Sequence, residues 1–205
     1  MSTQQASFVP AQETSRRDMA IILTMLVAAF VVILNETIMN VALPKLMVEL
    51  QVSASTVQWL ATAYMLVMAV LIPTTGFLIQ RFTTRTLFLS AMGLFTLGTL
   101  VAGIAPSFAV LLTGRVLQAS GTALILPLLT TTILGLIPVE RRGAMMGTVS
   151  IVISVAPAIG PTISGFILQS LSWRYMFLFV LPIALLMLAY SARYLVNVGE
   201  TRYAS

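Results

Sequence analysis

The sequence predicts an all-α membrane protein with six transmembrane helices. Of its 205 residues, 59% are hydrophobic and 8% are charged, and the mean hydropathy is +1.01. A soluble domain carries roughly 25% charged residues, so the composition indicates an integral membrane protein. The apolar runs are long and lack an alternation of period two, which excludes a β-barrel, the other structure that spans a bilayer.

The apolar runs define the expected spans. Each is long enough to cross a hydrocarbon core of about 30 Å. They cover about residues 19–43, 55–79, 86–104, 108–137, 143–168 and 175–195. We therefore expect a polar tail at 1–18, a six-helix domain at 19–195 and a polar end at 196–205. The first run is too long for a cleaved signal peptide, so we interpret it as a retained span.

The arginine distribution predicts the orientation. Lys45 and Arg174 alone lie near the span ends on one side. The basic residues near the span ends on the other side are Arg16, Arg17, Arg81, Arg85, Arg141, Arg142, Arg193 and Arg202. The positive-inside rule places this second side, with both ends of the segment, in the cytoplasm. Membrane orientation accounts for the net charge of +5, and we expect no nucleic-acid partner.

The chain contains no cysteine and no histidine. Disulfides and thiolate chemistry are therefore excluded, and the usual general base and commonest metal ligand is absent. We expect no enzyme activity, no metal site and no cofactor.

Span 1 places a carboxylate, Glu36, between two asparagines, Asn35 and Asn40. An ionisable group within the hydrocarbon costs at least about 2.5 kcal/mol and normally faces a cavity or a partner. Glu36 is therefore a candidate for an ion or substrate path, and Glu36 and Asn40 share one helix face. The alternative is an acid that reaches the headgroups, because Glu36 lies about two turns from the expected helix end.

Span 4 contains the corresponding base, Arg115. Counted at 1.5 Å per residue, Arg115 and Glu36 each lie about 10 Å from the same membrane surface. Gln118 and Thr122 follow Arg115 at i+3 and i+7 and extend the polar stripe along the same face. The alternative is a structural arginine that donates hydrogen bonds to backbone carbonyls.

Span 5 combines two prolines, Pro157 and Pro161, with a ridge of small residues formed by Ala156, Gly160 and Ser164. The prolines remove backbone donors and bend the helix, and the ridge lets another helix approach closely. This composition is consistent with a purely structural role and with a role in gating.

The spans form two triplets of opposite starting orientation, as in a 3+3 inverted repeat. Glu36 and Arg115 then occupy corresponding helices, the first of each triplet. The basic loop between spans 2 and 3, from Gly76 to Arg85, is explained almost fully by its effect on topology.

The stretch Leu34–Pro44 resembles the span 1 signature L-D-x-T-I-V-N-V-A-L-P of the major facilitator superfamily, specifically of its fourteen-span drug/proton antiporters. Asn35 occupies the usual Asp position and Glu36 the variable one, about 100° further round the helix. The resemblance implies a proton-carrier role for Glu36.

The span 4 pattern R-x-x-Q-G-x-G is similar at Arg115, Gln118 and Gly121, with a departure at Ala119 and Ser120. In the family this arginine is tied to proton coupling.

The span 5 antiporter signature G-P-x-x-G-G is similar at Gly160, Pro161 and Gly165, with Ser164 replacing a glycine. The resemblance implies export and sealing of a central cavity.

The loop between spans 2 and 3 resembles the pattern G-x-L-a-D-R-x-G-R-R of the same family. Gln80 replaces its Asp and Thr83 its Gly, while the matching residues are Gly76, Leu78, Arg81 and Arg85.

The resemblance implies a proton-coupled secondary transporter that exports drug-like amphipathic compounds across a bacterial plasma membrane. The chain would be the amino-terminal half of a multidrug or lincomycin-type efflux protein, paired with a second six-helix half or another copy. Its partners would be amphipathic small molecules, protons and the lipid bilayer, and the proton gradient would supply the energy.

The expected site residues fall into three groups. Glu36 and Arg115 would couple protons. The residues Asn35, Asn40, Gln118 and Thr122 would line the substrate cavity. Gating and helix packing would involve Gly76, Arg81, Arg85, Pro157, Gly160, Pro161 and Gly165. Two alternatives stay open, namely an exporter of a single metabolite and a non-transporting truncated or assembly module of the membrane.

Overall fold

The computed structural model describes residues 15–195, and this part of the chain is all-helical. The helices are α1 (Arg16–Glu49), α2 (Ala54–Val57), α3 (Trp59–Arg81), α4 (Thr84–Gly103), α5 (Phe108–Leu136), α6 (Val139–Ser170) and α7 (Tyr175–Tyr194). Six segments are long and apolar enough to cross a membrane, and α2 and α3 together form one of them. The predicted fold class is confirmed. The predictions for residues 1–14 and 196–205 lie outside the described residues, as does Arg202.

Helix α1 extends beyond the predicted span at both ends. Its start is fixed by a capping box, in which the Ser15 side chain accepts a hydrogen bond from the backbone N–H of Asp18 at 3.1 Å. At the other end the helix continues through Pro44 to Glu49. The carbonyl that Pro44 leaves without its helical donor belongs to an exposed residue, Asn40, so a proline is tolerated here.

The helices pack in the pattern that an inverted repeat requires. Helix α1 packs on α6 and α7, while α5 packs on α3 and α4. When the first three membrane-crossing segments are exchanged in order for the last three, the α1–α6 pair maps onto the α5–α3 pair. The α1–α7 pair maps in the same way onto the α5–α4 pair. The α1–α5 and α4–α7 pairs map onto themselves. Two three-helix units therefore form one bundle about an approximate two-fold axis.

Two arginines near helix starts follow the same symmetry. Arg85, in the first turn of α4, donates from Nη2 to the carbonyl of Ala192 in the last turn of α7. Arg174, directly before α7, donates from Nη1 to the carbonyl of Gly103 at the end of α4, at 3.3 Å. Each of the two helices is thus capped by an arginine from the other, and the helix dipole favours positive charge at both places.

Glycines allow α4 and α5 to pack backbone against backbone. A Cβ atom added to Gly121 would lie 2.4 Å from the carbonyl oxygen of Ala91, and one added to Gly114 would lie 2.8 Å from that of Gly98. Non-bonded atoms do not approach so closely, so a larger residue at either position would force the two helices apart.

Two apolar clusters form the core, and along α5 they leave a gap between Leu111 and Leu124. The gap holds three polar side chains, those of Arg115, Gln118 and Thr122, each at most 2% exposed. The deepest charge of the bundle therefore lies between two apolar layers.

The described residues leave one pair of symmetry-related segments largely uncovered. Only 11% of the apolar window in the α2–α3 segment and 22% of that in α6 is buried, compared with 67% in α1. These two segments therefore offer most of their surface to lipid or to further protein.

We expect Gly121→Ala to lower the thermal unfolding midpoint of the protein in detergent. The added methyl group has to separate α4 from α5, which costs about 1–3 kcal/mol in a well-packed interior. Gly147→Ala is the matched control, because a Cβ atom there meets no atom within 4 Å and alanine favours a helix. Heating followed by size-exclusion chromatography measures both midpoints, and equal midpoints would contradict the packing role.

Candidate functional site

Arg115 on α5 is fully buried, and its guanidinium has three contacts. Nε donates to the backbone carbonyl of Leu60 at 3.3 Å, and Nη1 donates to Oε1 of Gln118 at 3.1 Å. Cζ lies 4.1 Å from the ring centroid of Tyr64, in cation–π geometry. Nη2 has no hydrogen-bond partner. Arg115 therefore bonds to one backbone carbonyl, as the structural alternative predicted, but side chains provide its other contacts.

Further hydrogen bonds around Arg115 link its helix, α5, to α3 and α4. Nε2 of Gln118 donates to Oγ1 of Thr99 on α4 at 2.9 Å. The Tyr64 hydroxyl on α3 donates to Oγ1 of Thr122 on α5 at 2.9 Å, and Thr122 donates to the backbone carbonyl of Gln118 at 2.9 Å. We call these five residues, Tyr64, Thr99, Arg115, Gln118 and Thr122, the polar layer. All five are buried, and hydrogen bonds satisfy their polar atoms except Nη2 of Arg115.

Glu36 on α1 is half-buried and interacts electrostatically with Arg115. The two form no direct ion pair, because Nε and Nη1 of the guanidinium bond elsewhere and Nη2 bonds to nothing. The expected end of this helix was wrong, since α1 continues to Glu49, about 20 Å beyond Glu36. Glu36 is therefore further from its helix end than predicted.

The two asparagines beside Glu36 lie in different environments. Asn35 is 1% exposed, and its Oδ1 has no hydrogen-bond partner. Asn40 is exposed. Of the four predicted cavity residues, Asn40 alone lies on an exposed surface here, while Asn35, Gln118 and Thr122 point into packed regions.

An exposed stripe runs along the last part of α1. We call it the open stripe, formed by Asn40, Val41, Pro44 and Lys45, which recur at helical spacing. Glu36 is half-buried and lies one turn before Asn40 on the same helix face, so it adjoins the polar start of this stripe. The acid is thus partly accessible, while the base is sealed.

The small-residue ridge of α6 packs on α1 directly after Glu36. A Cβ atom added to Gly160 would lie 2.5 Å from Cγ2 of Thr37, and Oγ of Ser164 donates to the carbonyl of Ile38 at 3.2 Å. Ala156 is fully buried in the same contact region. The prediction that this ridge lets another helix approach closely is confirmed.

The other predicted gating residues of α6 lie on its open side. Pro157 and Pro161 are exposed, α6 remains helical through both, and a Cβ atom on Gly165 would meet no atom within 4 Å. These residues therefore do not belong to the contact with α1.

The predicted loop residues Gly76, Arg81 and Arg85 make no contact with the polar layer, and they share no contact with one another. Gly76 has open space around its Cα, and Arg81 lies over the ring of Phe77 with Cζ 5.1 Å from the centroid. Arg85 bonds to Ala192 of α7, a contact that the sequence reasoning did not anticipate.

Sequence reasoning missed Tyr64 and Thr99. A weak signal for Tyr64 was available, because it lies one turn beyond Trp59 near the start of an apolar span, at a depth similar to that of Arg115. Thr99 gave no usable signal, since threonines in membrane helices usually bond to their own backbone. Within residues 15–195, no group of three or more His, Cys, Asp or Glu side chains could hold a metal ion.

Six membrane-crossing helices in two inverted repeats, with a charged network in the interior, define the fold class of secondary transporters. The chain matches the family model of the Major Facilitator Superfamily over residues 25–203 and belongs to this family. It is similar to the D-xylose-proton symporter in its crystal structure, with a TM-score of 0.73 and 18% identity. That similarity covers 90% of this chain and 49% of the symporter.

Two relatives from Bacillus subtilis show how much of a transporter the chain represents. It is 48% identical to the lincomycin resistance protein LmrB over 183 residues, which are 89% of this chain and 38% of that protein. It is 47% identical to the uncharacterized MFS-type transporter YcnB over 178 residues, covering 87% of this chain and 38% of the relative. The chain thus spans about two fifths of the length of the curated relatives it matches.

We expect Gly160→Ala to weaken the contact between α1 and α6 and to lower the thermal unfolding midpoint. The new methyl group clashes with Thr37, so Thr37→Ala in the same chain removes the closest atom and restores part of the loss. Gly165→Ala is the matched control on the open side of α6. If the double variant melts no higher than Gly160→Ala alone, the clash is not the cause.

Proposed function

We propose that this chain forms the amino-terminal half of a proton-coupled exporter of drug-like amphipathic compounds. The observation that carries the proposal is the position of Glu36, partly open to the stripe of α1 and electrostatically coupled to the sealed Arg115. The other carboxylates of residues 15–195 lie in a terminal turn of a helix and are Asp18, Glu49 and Glu140. Glu36 is thus the one carboxylate of this region that lies away from the helix ends.

The proposed chemistry assigns the proton to Glu36. An arginine stays protonated at all physiological pH values, so Arg115 acts as a fixed positive charge. The carboxyl of Glu36 binds and releases a proton according to its hydration and to its distance from that charge. A conformational change that alters either quantity converts the proton gradient into movement of the bundle.

The open stripe supports the choice of substrate class. Its apolar residues, Val41 and Pro44, offer a surface for the apolar body of a ligand. Glu36 and Asn40 offer a charge and hydrogen bonds to its polar end, so cationic or neutral amphipathic molecules fit best. In the proposed cycle, Asn35, Gln118 and Thr122 reach the substrate only in a conformation that opens the polar layer. The resistance to lincomycin in the name of LmrB supports drugs as substrates.

A second six-helix half would complete the cavity. The large uncovered surfaces of α3 and α6, together with the greater length of the relatives, support this arrangement. The arginine asymmetry supports a bacterial plasma membrane with both ends of this half in the cytoplasm. The ridge contact of α6 beside Glu36 supports a gating role, because movement of α6 would change the surroundings of the acid.

We expect Glu36→Gln to abolish export driven by a pH gradient. The amide keeps the size and polarity of the side chain but binds no proton. Everted vesicles from cells that express the complete reading frame are assayed for ethidium transport on acidification of their lumen. Glu49→Gln, at the exposed end of the same helix, is the matched control and is expected to transport like wild type.

Full pH-driven transport by Glu36→Gln would show that the proton is carried elsewhere. A resistance profile across lincomycin, ethidium and unrelated drugs distinguishes a multidrug exporter from an exporter of one metabolite. Sensitivity to all compounds together with export of a single class would support the latter.

A further inference from the structure

Tyr64 is buried at the centre of the polar layer, with 0% of its surface exposed. Its ring lies against the guanidinium of Arg115, and its hydroxyl donates to Oγ1 of Thr122 on the same helix as Arg115. Tyr64 thus contacts α5 at two places. The function proposed above assigns no role to this residue.

Helix α3 holds the guanidinium from two consecutive turns. The carbonyl of Leu60 accepts the hydrogen bond from Nε, and Tyr64, one turn later, covers the guanidinium. A planar guanidinium with one edge hydrogen-bonded and its face stacked has little freedom to rotate. The third contact of the guanidinium is to Gln118, which lies on α5 with Arg115 itself. The contacts from another helix therefore all come from α3, and they fix the position of the Arg115 charge.

The orientation of the Tyr64 ring is itself fixed by hydrogen bonds of defined direction. Thr122 uses its own proton to donate to the carbonyl of Gln118, so its oxygen is left to accept the proton of Tyr64. The ring plane is therefore tied to α5 through the hydroxyl while its face meets Arg115. Desolvated cation–π pairs are among the stronger contacts of this kind.

We propose that Tyr64 is the positioning residue of Arg115. It holds the guanidinium so that Nη2 is the single nitrogen left without a partner and therefore free to respond to the charge on Glu36. In the described region, Glu36 on α1 and Tyr64 on α3 are the titratable groups that interact with this charge. The positioning follows from geometry alone, while its consequence for proton coupling rests on the proposed function.

Phenylglyoxal, which modifies accessible arginines, tests the positioning directly. Membranes with the complete protein are treated for a series of times, and labelling at each arginine is quantified by mass spectrometry. In wild type, Arg81 and Arg141 are exposed and are expected to label rapidly, while the buried Arg115 is expected to label slowly. Tyr64→Leu is expected to raise the Arg115 rate about fivefold or more, which corresponds to about 1 kcal/mol. Tyr190→Leu, at an exposed tyrosine, is the control and leaves the rate unchanged.

Two conservative variants separate positioning from folding. Tyr64→Phe keeps the stacked ring and loses the hydroxyl, and Thr122→Val removes the acceptor. Each is expected to raise Arg115 labelling by less than Tyr64→Leu does, and the double variant by no more than either single one, because both remove the same bond. Arg142, which is bonded to the carbonyl of Ile137, reports on the fold and stays slow in all three.

The proposal would be overturned if Arg115 in Tyr64→Leu labelled at the same rate as in wild type. If Tyr64→Leu unfolds, Arg142 also labels rapidly, and the test then rests on Tyr64→Phe and Thr122→Val. Additive effects of these two variants on the Arg115 labelling rate, or no effect, would also overturn the proposal. Transport assays of the same vesicles separate the two proposals. Absence of pH-driven transport in wild type contradicts the proposed function and leaves the labelling result in force, whereas unaltered labelling with normal transport contradicts the positioning role alone.

Discussion

Burial of the Arg115 charge is the constraint on which the rest of the bundle depends. A cation removed from water has to be compensated by acceptors and by an aromatic face, and a single helix does not supply enough of them. Helix α3 provides Leu60 and Tyr64, and α4 reaches the site through Thr99 and Gln118. That last contact requires α4 and α5 to touch. A Cβ atom on Gly98 would lie 2.6 Å from the backbone nitrogen of Gln118, so the missing side chain at Gly98 brings Thr99 within reach.

The inverted repeat places the two charges under equivalent helix pairs but in different environments. Helix α3 is to α5 what α6 is to α1. On one side the contact is polar and aromatic, through Tyr64, and it closes over the base. On the other side the contact is made by small residues. Gly160 packs against the side chain of Thr37, Ser164 donates to the carbonyl of Ile38, and Glu36 stays partly accessible. The same topology thus seals a cation in one repeat and presents an acid in the other, because the side chains at corresponding contacts differ in size and polarity.

The sequence was sufficient for the features that depend on local pattern. Hydropathy gave six spans, helical spacing put Arg115, Gln118 and Thr122 on one face, and small-residue spacing identified the ridge of α6. The features it did not give depend on tertiary contacts. Tyr64 acquires its importance from a partner on another helix, and an amphipathic aromatic near a span end is equally typical of a membrane interface. The end of α1 was misplaced because the apolar run ends near residue 43, whereas the helix continues through Pro44, and the carbonyl that Pro44 leaves free lies on an exposed turn.

In the proposed mechanism, the buried Arg115 and the partly accessible Glu36 have different roles. Arg115 is fixed by α3 and α5 and keeps its charge, so it serves as a constant reference within the bundle. Glu36 is flanked by the ridge contact on one side and by the open stripe on the other, so both helix movement and ligand binding act on it. In the proposed mechanism, this one group couples proton and substrate because each changes its affinity for the other. Under this proposal, a change of charge at Glu36 acts electrostatically on Arg115, and the hydrogen bonds of the polar layer connect Arg115 to α3, α4 and α5.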